Sequence, residues 1–136
     1  MNYLERIQNL KNKSLKTLIL SGNNISELEN LYHLKQLQNL EIEKNAIENI
    51  NNLAIFGMKD LKKISFAYNK IPVSYFEDLL MVLEAFQTLE EVNFVGNEVA
   101  AHKLYRAKIM QIPHIKVLDK LVLRDPIKKH FEVSLS

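Results

Sequence analysis

Four stretches of this chain align over eleven positions without a gap, and that repetition constrains the fold more than any other feature. They are Leu15-Lys-Thr-Leu18-Ile-Leu20-Ser-Gly-Asn23-Asn-Ile25, Leu37-Gln-Asn-Leu40-Glu-Ile42-Glu-Lys-Asn45-Ala-Ile47, Leu61-Lys-Lys-Ile64-Ser-Phe66-Ala-Tyr-Asn69-Lys-Ile71 and Leu89-Glu-Glu-Val92-Asn-Phe94-Val-Gly-Asn97-Glu-Val99. The asparagines recur at intervals of 22, 24 and 28 residues. A unit this short cannot bury its own apolar side, so each copy has to stack on its neighbours around a shared core. Through the middle of each copy residues alternate sides, as along a strand. Leu18 and Leu20, or Ile64 and Phe66, are expected to point inward; Thr17 and Ile19, or Lys63 and Ser65, outward. The asparagine falls in the following turn, where a buried amide can satisfy backbone groups that the turn leaves unpaired. Stacking then predicts a ladder of Asn23, Asn45, Asn69 and Asn97, structural in role and not a set of ligands.

This pattern is identified as the leucine-rich repeat. The resemblance implies an α/β fold: a right-handed solenoid with a concave parallel sheet, convex 3-10 or α elements, about four repeats and a C-terminal cap. Residues 1–136 are read as one domain, with 1–14 a partial repeat or N-terminal cap, 15–99 the repeats, 100–123 the C-terminal cap and 124–136 a terminal helix or tail. Repeats of 22 residues leave room for little more than a 3-10 turn, as in Ile25-Ser-Glu-Leu28-Glu-Asn-Leu31. The 28-residue repeat has room for a helix: Ser74-Tyr-Phe-Glu77 reads as a capping box, followed by Phe76, Leu79, Leu80, Leu83 and Phe86 at helical spacing.

A solenoid exposes apolar edges unless its ends are capped. At the C-terminal end, Ala101 to Ile112 reads as a helix with Leu104, Tyr105, Ile109 and Ile112 on one face, stopped by Pro113. A last strand, Ile115-Lys-Val117-Leu118-Asp119, and Leu121-Val122 follow. The string Tyr105-Arg106, Ile112-Pro113, Ile115 and Leu118-Asp119 resembles the cap of an intracellular subgroup of leucine-rich-repeat proteins. That subgroup includes an axonemal dynein light chain, other ciliary proteins and the spliceosomal A-prime protein. Within the cap, Arg106 and Asp119 are placed to pair, helix to strand. Asp125-Pro126 is expected to open a short terminal helix bearing Ile127, His130 and Phe131. At the other end Ile7-Gln-Asn-Leu10 matches Leu28-Glu-Asn-Leu31 and Ile50-Asn-Asn-Leu53, so the chain enters in the convex half of a repeat. Either Tyr3, Leu4, Ile7 and Leu10 form a small cap, or a partner covers this edge.

The rest of the sequence narrows the function by what it lacks. The three glycines, Gly22, Gly57 and Gly96, are too dispersed for a phosphate loop. His33, His102, His114 and His130 form no metal-ligating pair at helical spacing, so no metal or cofactor is expected. Ser14, Ser21, Ser65 and Ser74 lack a nucleophile-elbow context. Asp60 and Glu90-Glu91 lack an acid/base partner. The chain has no cysteine, which suits a reducing compartment. A net charge of +2 selects neither nucleic acid nor an anionic membrane, and Lys62-Lys63 and Lys128-Lys129 are brief pairs, not a basic stripe. No apolar run approaches the roughly 20 residues that span a bilayer. These features suit a cytosolic, cytoskeletal or nuclear protein; the cap resemblance implies the cytoplasm or cytoskeleton first, with the cilium one setting and the nucleus the alternative.

What remains is a surface for holding a protein. Three columns of outward positions cross the sheet: Thr17, Asn39, Lys63, Glu91 and Val117; Ile19, Glu41, Ser65, Asn93 and Asp119; and Ser21, Glu43, Ala67 and Val95, with Lys44 and Tyr68 at the border. Ile19, Tyr68 and Val95 are apolar or aromatic where solubility asks for polar residues, and Glu41, Glu43, Glu91 and Asp119 add acidic character. Such a face suits a basic or amphipathic helix, with Tyr68 as an anchor and Lys63, Ser65 and Asn93 as further contacts. The cap resemblance implies a non-catalytic scaffold, first of all a cytoskeletal or axonemal adaptor. The alternatives are a ribonucleoprotein scaffold of the A-prime kind, which holds an RNA-recognition domain on its concave face, or a regulatory subunit of an enzyme such as a phosphatase.

Overall fold

The computed structural model describes residues 7, 10–54 and 57–123. Five short strands, β1 (Thr17–Ile19), β2 (Asn39–Glu41), β3 (Lys63–Ser65), β4 (Glu91–Asn93) and β5 (Val117–Leu118), lie parallel in chain order. A sixth, β6 (Leu121–Val122), pairs antiparallel with β5. The register sets Leu18, Leu40, Ile64, Val92 and Leu118 in one row across the parallel strands. All five are buried, and behind them Ile25, Ile47, Ile71 and Val99 form a second buried row. Equal positions in the eleven-residue alignment thus become neighbours in space, as the leucine-rich-repeat solenoid requires.

The asparagines tie one repeat to the next. Asn45 Oδ1 accepts the Ile25 N–H at 3.0 Å, and its Nδ2 donates to the carbonyls of Leu20 at 2.9 Å and Glu43 at 3.0 Å. Asn69 binds Ile47 N–H and Ile42 O, and Asn97 binds Ile71 N–H and Phe66 O, in the same way. Each amide therefore closes its own turn while holding the previous one. The position before each ladder asparagine is left-handed: Gly22 at φ 72°, Lys44 at 56°, Tyr68 at 59° and Gly96 at 80°. The turn needs positive φ whichever residue stands there, and Lys44 and Tyr68 adopt it despite the steric cost of a Cβ.

A second asparagine series runs along the other side. Asn30 Nδ2 donates to the Ile7 carbonyl at 2.7 Å, and Asn52 Nδ2 to the Leu28 carbonyl at 2.8 Å. These are the asparagines of the short element shared by residues 28–31 and 50–53. The pairing draws Ile7 into the core, where it is buried, with Leu10 packed against it. The proposed contributions of Tyr3 and Leu4 to an N-terminal cap lie outside the described residues, as does the terminal helix at Asp125, Pro126, Ile127, His130 and Phe131.

Helix α1 (Phe76–Ala85) occupies the long repeat and buries Phe76, Leu79 and Leu83. The expected capping box does not form. Pro72 starts a 3-10 turn over Val73–Tyr75, so Ser74 lies inside that turn and Tyr75 takes the cap position without a side-chain bond. Helix α2 (Tyr105–Met110) is shorter than the expected 101–112, because Glu98–Ala101 form a separate 3-10 turn ahead of it. The break also turns Leu104 out of the core: its N–H donates to His102 Nδ1 at 3.0 Å, and the side chain is exposed. Tyr105, Ile109 and Ile112 are buried as the helical spacing requires. Among the described residues no helix is long and apolar enough to cross a membrane.

Candidate partner-binding surface

The concave sheet carries the outward columns, yet the residues in them are not equally available. Ile19, Tyr68 and Val95 are the open apolar side chains, 58%, 54% and 40% exposed. Ile19 stands on the first strand; Tyr68 and Val95 follow β3 and β4, two and three strands further on, joined by a bond from Tyr68 N–H to Val95 O at 2.8 Å. The Tyr68 ring covers Gly96, where an added Cβ would come within 2.3 Å of Cδ1. Glycine at 96 thus serves the left-handed turn and makes room for the aromatic ring at once.

The charged residues between them are largely engaged with neighbours on the same face. Asn39 Nδ2 donates to Glu41 Oε2 at 2.9 Å, and the Ser65 hydroxyl donates to the Glu43 carboxylate. Lys63 and Glu91 form an ion pair at 3.4 Å. Such partly exposed pairs hold side chains in place more than they stabilise the fold. Ser65 and Asn93, read from the sequence as outward contacts, do face the concave side but are buried. Glu43 lies against Ser65, while Asn93 Oδ1 accepts the Val95 N–H at 3.1 Å, so flanking strands and turns cover both. The exposed chemistry is therefore two apolar stations, Ile19 and Tyr68–Val95, separated by self-paired carboxylates. That arrangement reduces the acidic pull expected of Glu41, Glu43 and Glu91.

Asp119 leaves the concave column altogether. It and Lys120 are left-handed, at φ 51° and 69°, and make the two-residue loop of the β5–β6 hairpin. One carboxylate oxygen accepts the Phe94 N–H at 2.8 Å, standing in for the strand carbonyl a further repeat would offer. Both oxygens accept from the Tyr105 hydroxyl, at 3.1 and 3.0 Å. The expected Arg106–Asp119 pair is absent among the described residues: Arg106 is exposed, and Tyr105, one position earlier on α2, is the residue that faces the carboxylate. Burial, then the Asp119 charge, pushes the Tyr105 hydroxyl far above its ordinary pKa, so it remains a donor. Pro113 is exposed after the helix, and Leu118 is buried in the last parallel strand.

Sequence reasoning missed Gly96 as the seat of Tyr68. The signal was the column Gly22, Lys44, Tyr68 and Gly96 immediately before the ladder, where two glycines mark a position that demands positive φ. It also missed Asn30 and Asn52, although the matching elements at 7–10, 28–31 and 50–53 contained them. Among the described residues no three His, Asp or Glu side chains come together as a metal would need.

These features define a protein of the leucine-rich-repeat class, and the family profile for the leucine-rich repeat matches residues 3–132; the chain belongs to that family. A chain in the crystal structure of the Drosophila melanogaster SNF/U2A' complex is similar to it at 25% identity and a TM-score of 0.75, covering 96% of this chain and 75% of that one.

Proposed function

We propose that this chain is a non-catalytic protein-interaction scaffold whose concave sheet receives a partner at Ile19 and at Tyr68–Val95, within a ribonucleoprotein assembly. The observation that carries the reading is the trio of exposed apolar side chains Ile19, Tyr68 and Val95 on a face whose carboxylates Glu41, Glu43 and Glu91 already have partners, since exposed apolar side chains of this kind mark a contact site. The surface is preformed, so binding there loses little to ordering. Glu41, Glu43, Lys63 and Glu91 supply a polar frame around the anchors, and Ser65 and Asn93 support it from beneath. The bond network of the asparagine ladder and the cap residues Tyr105, Leu118 and Asp119 keeps the platform rigid.

The ribonucleoprotein setting rests on the similarity to a chain of the SNF/U2A' complex together with the cap resemblance. The axonemal setting has the cap resemblance alone, and the phosphatase-regulator reading has no observation of its own. In the preferred reading the partner is a protein and the workplace is the nucleus. The test is affinity capture of the tagged chain after RNase treatment, with the bound proteins identified by mass spectrometry. Recovery of proteins bearing an RNA-recognition domain is expected. Recovery of tubulin or dynein subunits in their place would overturn the ribonucleoprotein reading in favour of the axonemal one.

A further inference from the structure

We propose that residues 127–131 of this same chain seat in a groove between α1 and α2, on the side of the solenoid away from the sheet. The groove has a volume of about 450 Å³. Helix α1 lines it with Glu77, Leu80 and Glu84, spaced three and four apart so that they share one face. Leu104 and Lys108 line the opposite wall. The wall at Leu104 is held in place: the His102 ring stacks on Phe76 with centroids 4.0 Å apart, and its Nδ1 accepts the Leu104 N–H. Leu104 is 42% exposed at this point, an apolar side chain directed out of the core.

The occupant follows from where the described chain stops and what comes next. The Leu123 N–H donates to the Lys116 carbonyl at 2.7 Å, which ties the last described residue to a point three positions after Pro113, itself part of the groove lining. Eight further residues reach Phe131, a span of up to about 26–29 Å when extended. Residues 124–131 read Arg-Asp-Pro-Ile-Lys-Lys-His-Phe. Ile127 and Phe131 are four apart, matched to Leu80, Leu104 and Ile112 in the lining, and Lys128 and Lys129 fall between them, matched to Glu77 and Glu84 on a rim that has Lys108 as its one opposing cation. The proposal concerns a face of the solenoid that the concave partner does not use, and it stands or falls separately from that reading.

The chain's lack of cysteine makes the test clean. Leu104→Cys combined with Phe131→Cys in the full chain, under mild oxidation, is expected to close an intramolecular disulfide. Met81→Cys with Phe131→Cys is the control, because Met81 is on α1 but outside the groove and 67% exposed. Seating raises the effective concentration of the first pair, so it should close at least about 10-fold faster than the control. Equal rates would overturn the proposal, since they indicate a tail that collides without seating. A disulfide-linked dimer would overturn it in favour of a second copy. In the cysteine-free chain, nuclear Overhauser contacts from the Phe131 ring to the Leu80 and Leu104 methyls are expected, and their absence would equally count against it.

Discussion

The ring of Tyr68 lies directly on the bare backbone of Gly96, close enough that a Cβ at 96 would meet Cδ1 at 2.3 Å. Gly22 holds the equivalent turn position three repeats earlier, and a Cβ there would meet nothing within 4 Å. The two glycines therefore separate two costs. Gly22→Ala should lose only the left-handed backbone preference, about 1–2 kcal/mol. Gly96→Ala should lose that and also displace the ring, so its loss should be the larger in urea unfolding. Equal losses would mean that the Tyr68 ring is not seated on Gly96.

Asn45 accepts one bond from the backbone of the preceding repeat through Oδ1, and through Nδ2 donates one more to that repeat and one within its own turn. Asn45→Ala would leave the Ile25 N–H buried without a partner. The expected destabilisation is about 1–3 kcal/mol, the ordinary penalty for such an orphaned group. Asn24→Ala, at an exposed neighbouring position, should stay within about 0.5 kcal/mol. Matching urea midpoints for the two variants would show that the ladder contributes no stability.

The pH dependence at the cap has a definite sign. Tyr105 is held above its ordinary value of 10.0 by burial and then by the Asp119 charge, so the folded chain keeps this proton when the unfolded chain gives it up. Tyr75 is raised too, by burial first; the Ile50 N–H donated to its hydroxyl opposes this, and the charge of Asp78 adds to it. Stability from these groups is complete below pH 10 and declines as pH rises above it, by up to about 1.4 kcal/mol per pH unit for each proton retained. The Tyr105→Phe variant should lose stability at pH 8, where Asp119 forfeits a donor, and should show a shallower decline from pH 10 to 11. Thermal melts across that range check both. A decline as steep as in the parent chain would remove Tyr105 as its source.

Most of the scaffold was legible because stacking makes sequence position and spatial position the same thing. Leu18, Leu40, Ile64 and Val92 align in the sequence and pair in the sheet for that reason. The parts that were not legible depend on contacts between repeats that no single repeat encodes. Ser65 alternates outward as expected, yet a glutamate one repeat away covers it. The outward column held Asp119 only on the assumption that the last strand continued; the hairpin turn ends it one residue early. Ser74 and Glu77 carry the capping-box spacing, but Pro72 sets the chain into a 3-10 turn first. For the binding surface, the apolar stations at Ile19, Tyr68 and Val95 could be read directly, whereas the pairing that occupies Glu41, Glu43 and Glu91 could not.

The scaffold reading is tested most directly by the affinity of the captured partner for Tyr68→Gly combined with Glu41→Lys. Glycine removes the aromatic anchor while suiting the left-handed backbone at 68, so folding should persist, as circular dichroism and the melting temperature can verify. Loss of a buried interface anchor costs about 2 kcal/mol or more, so binding by titration calorimetry should weaken at least about 30-fold, while Met81→Ala on the other side of the solenoid leaves it unchanged. An unaltered dissociation constant in the folded double variant would contradict partner binding on the concave sheet.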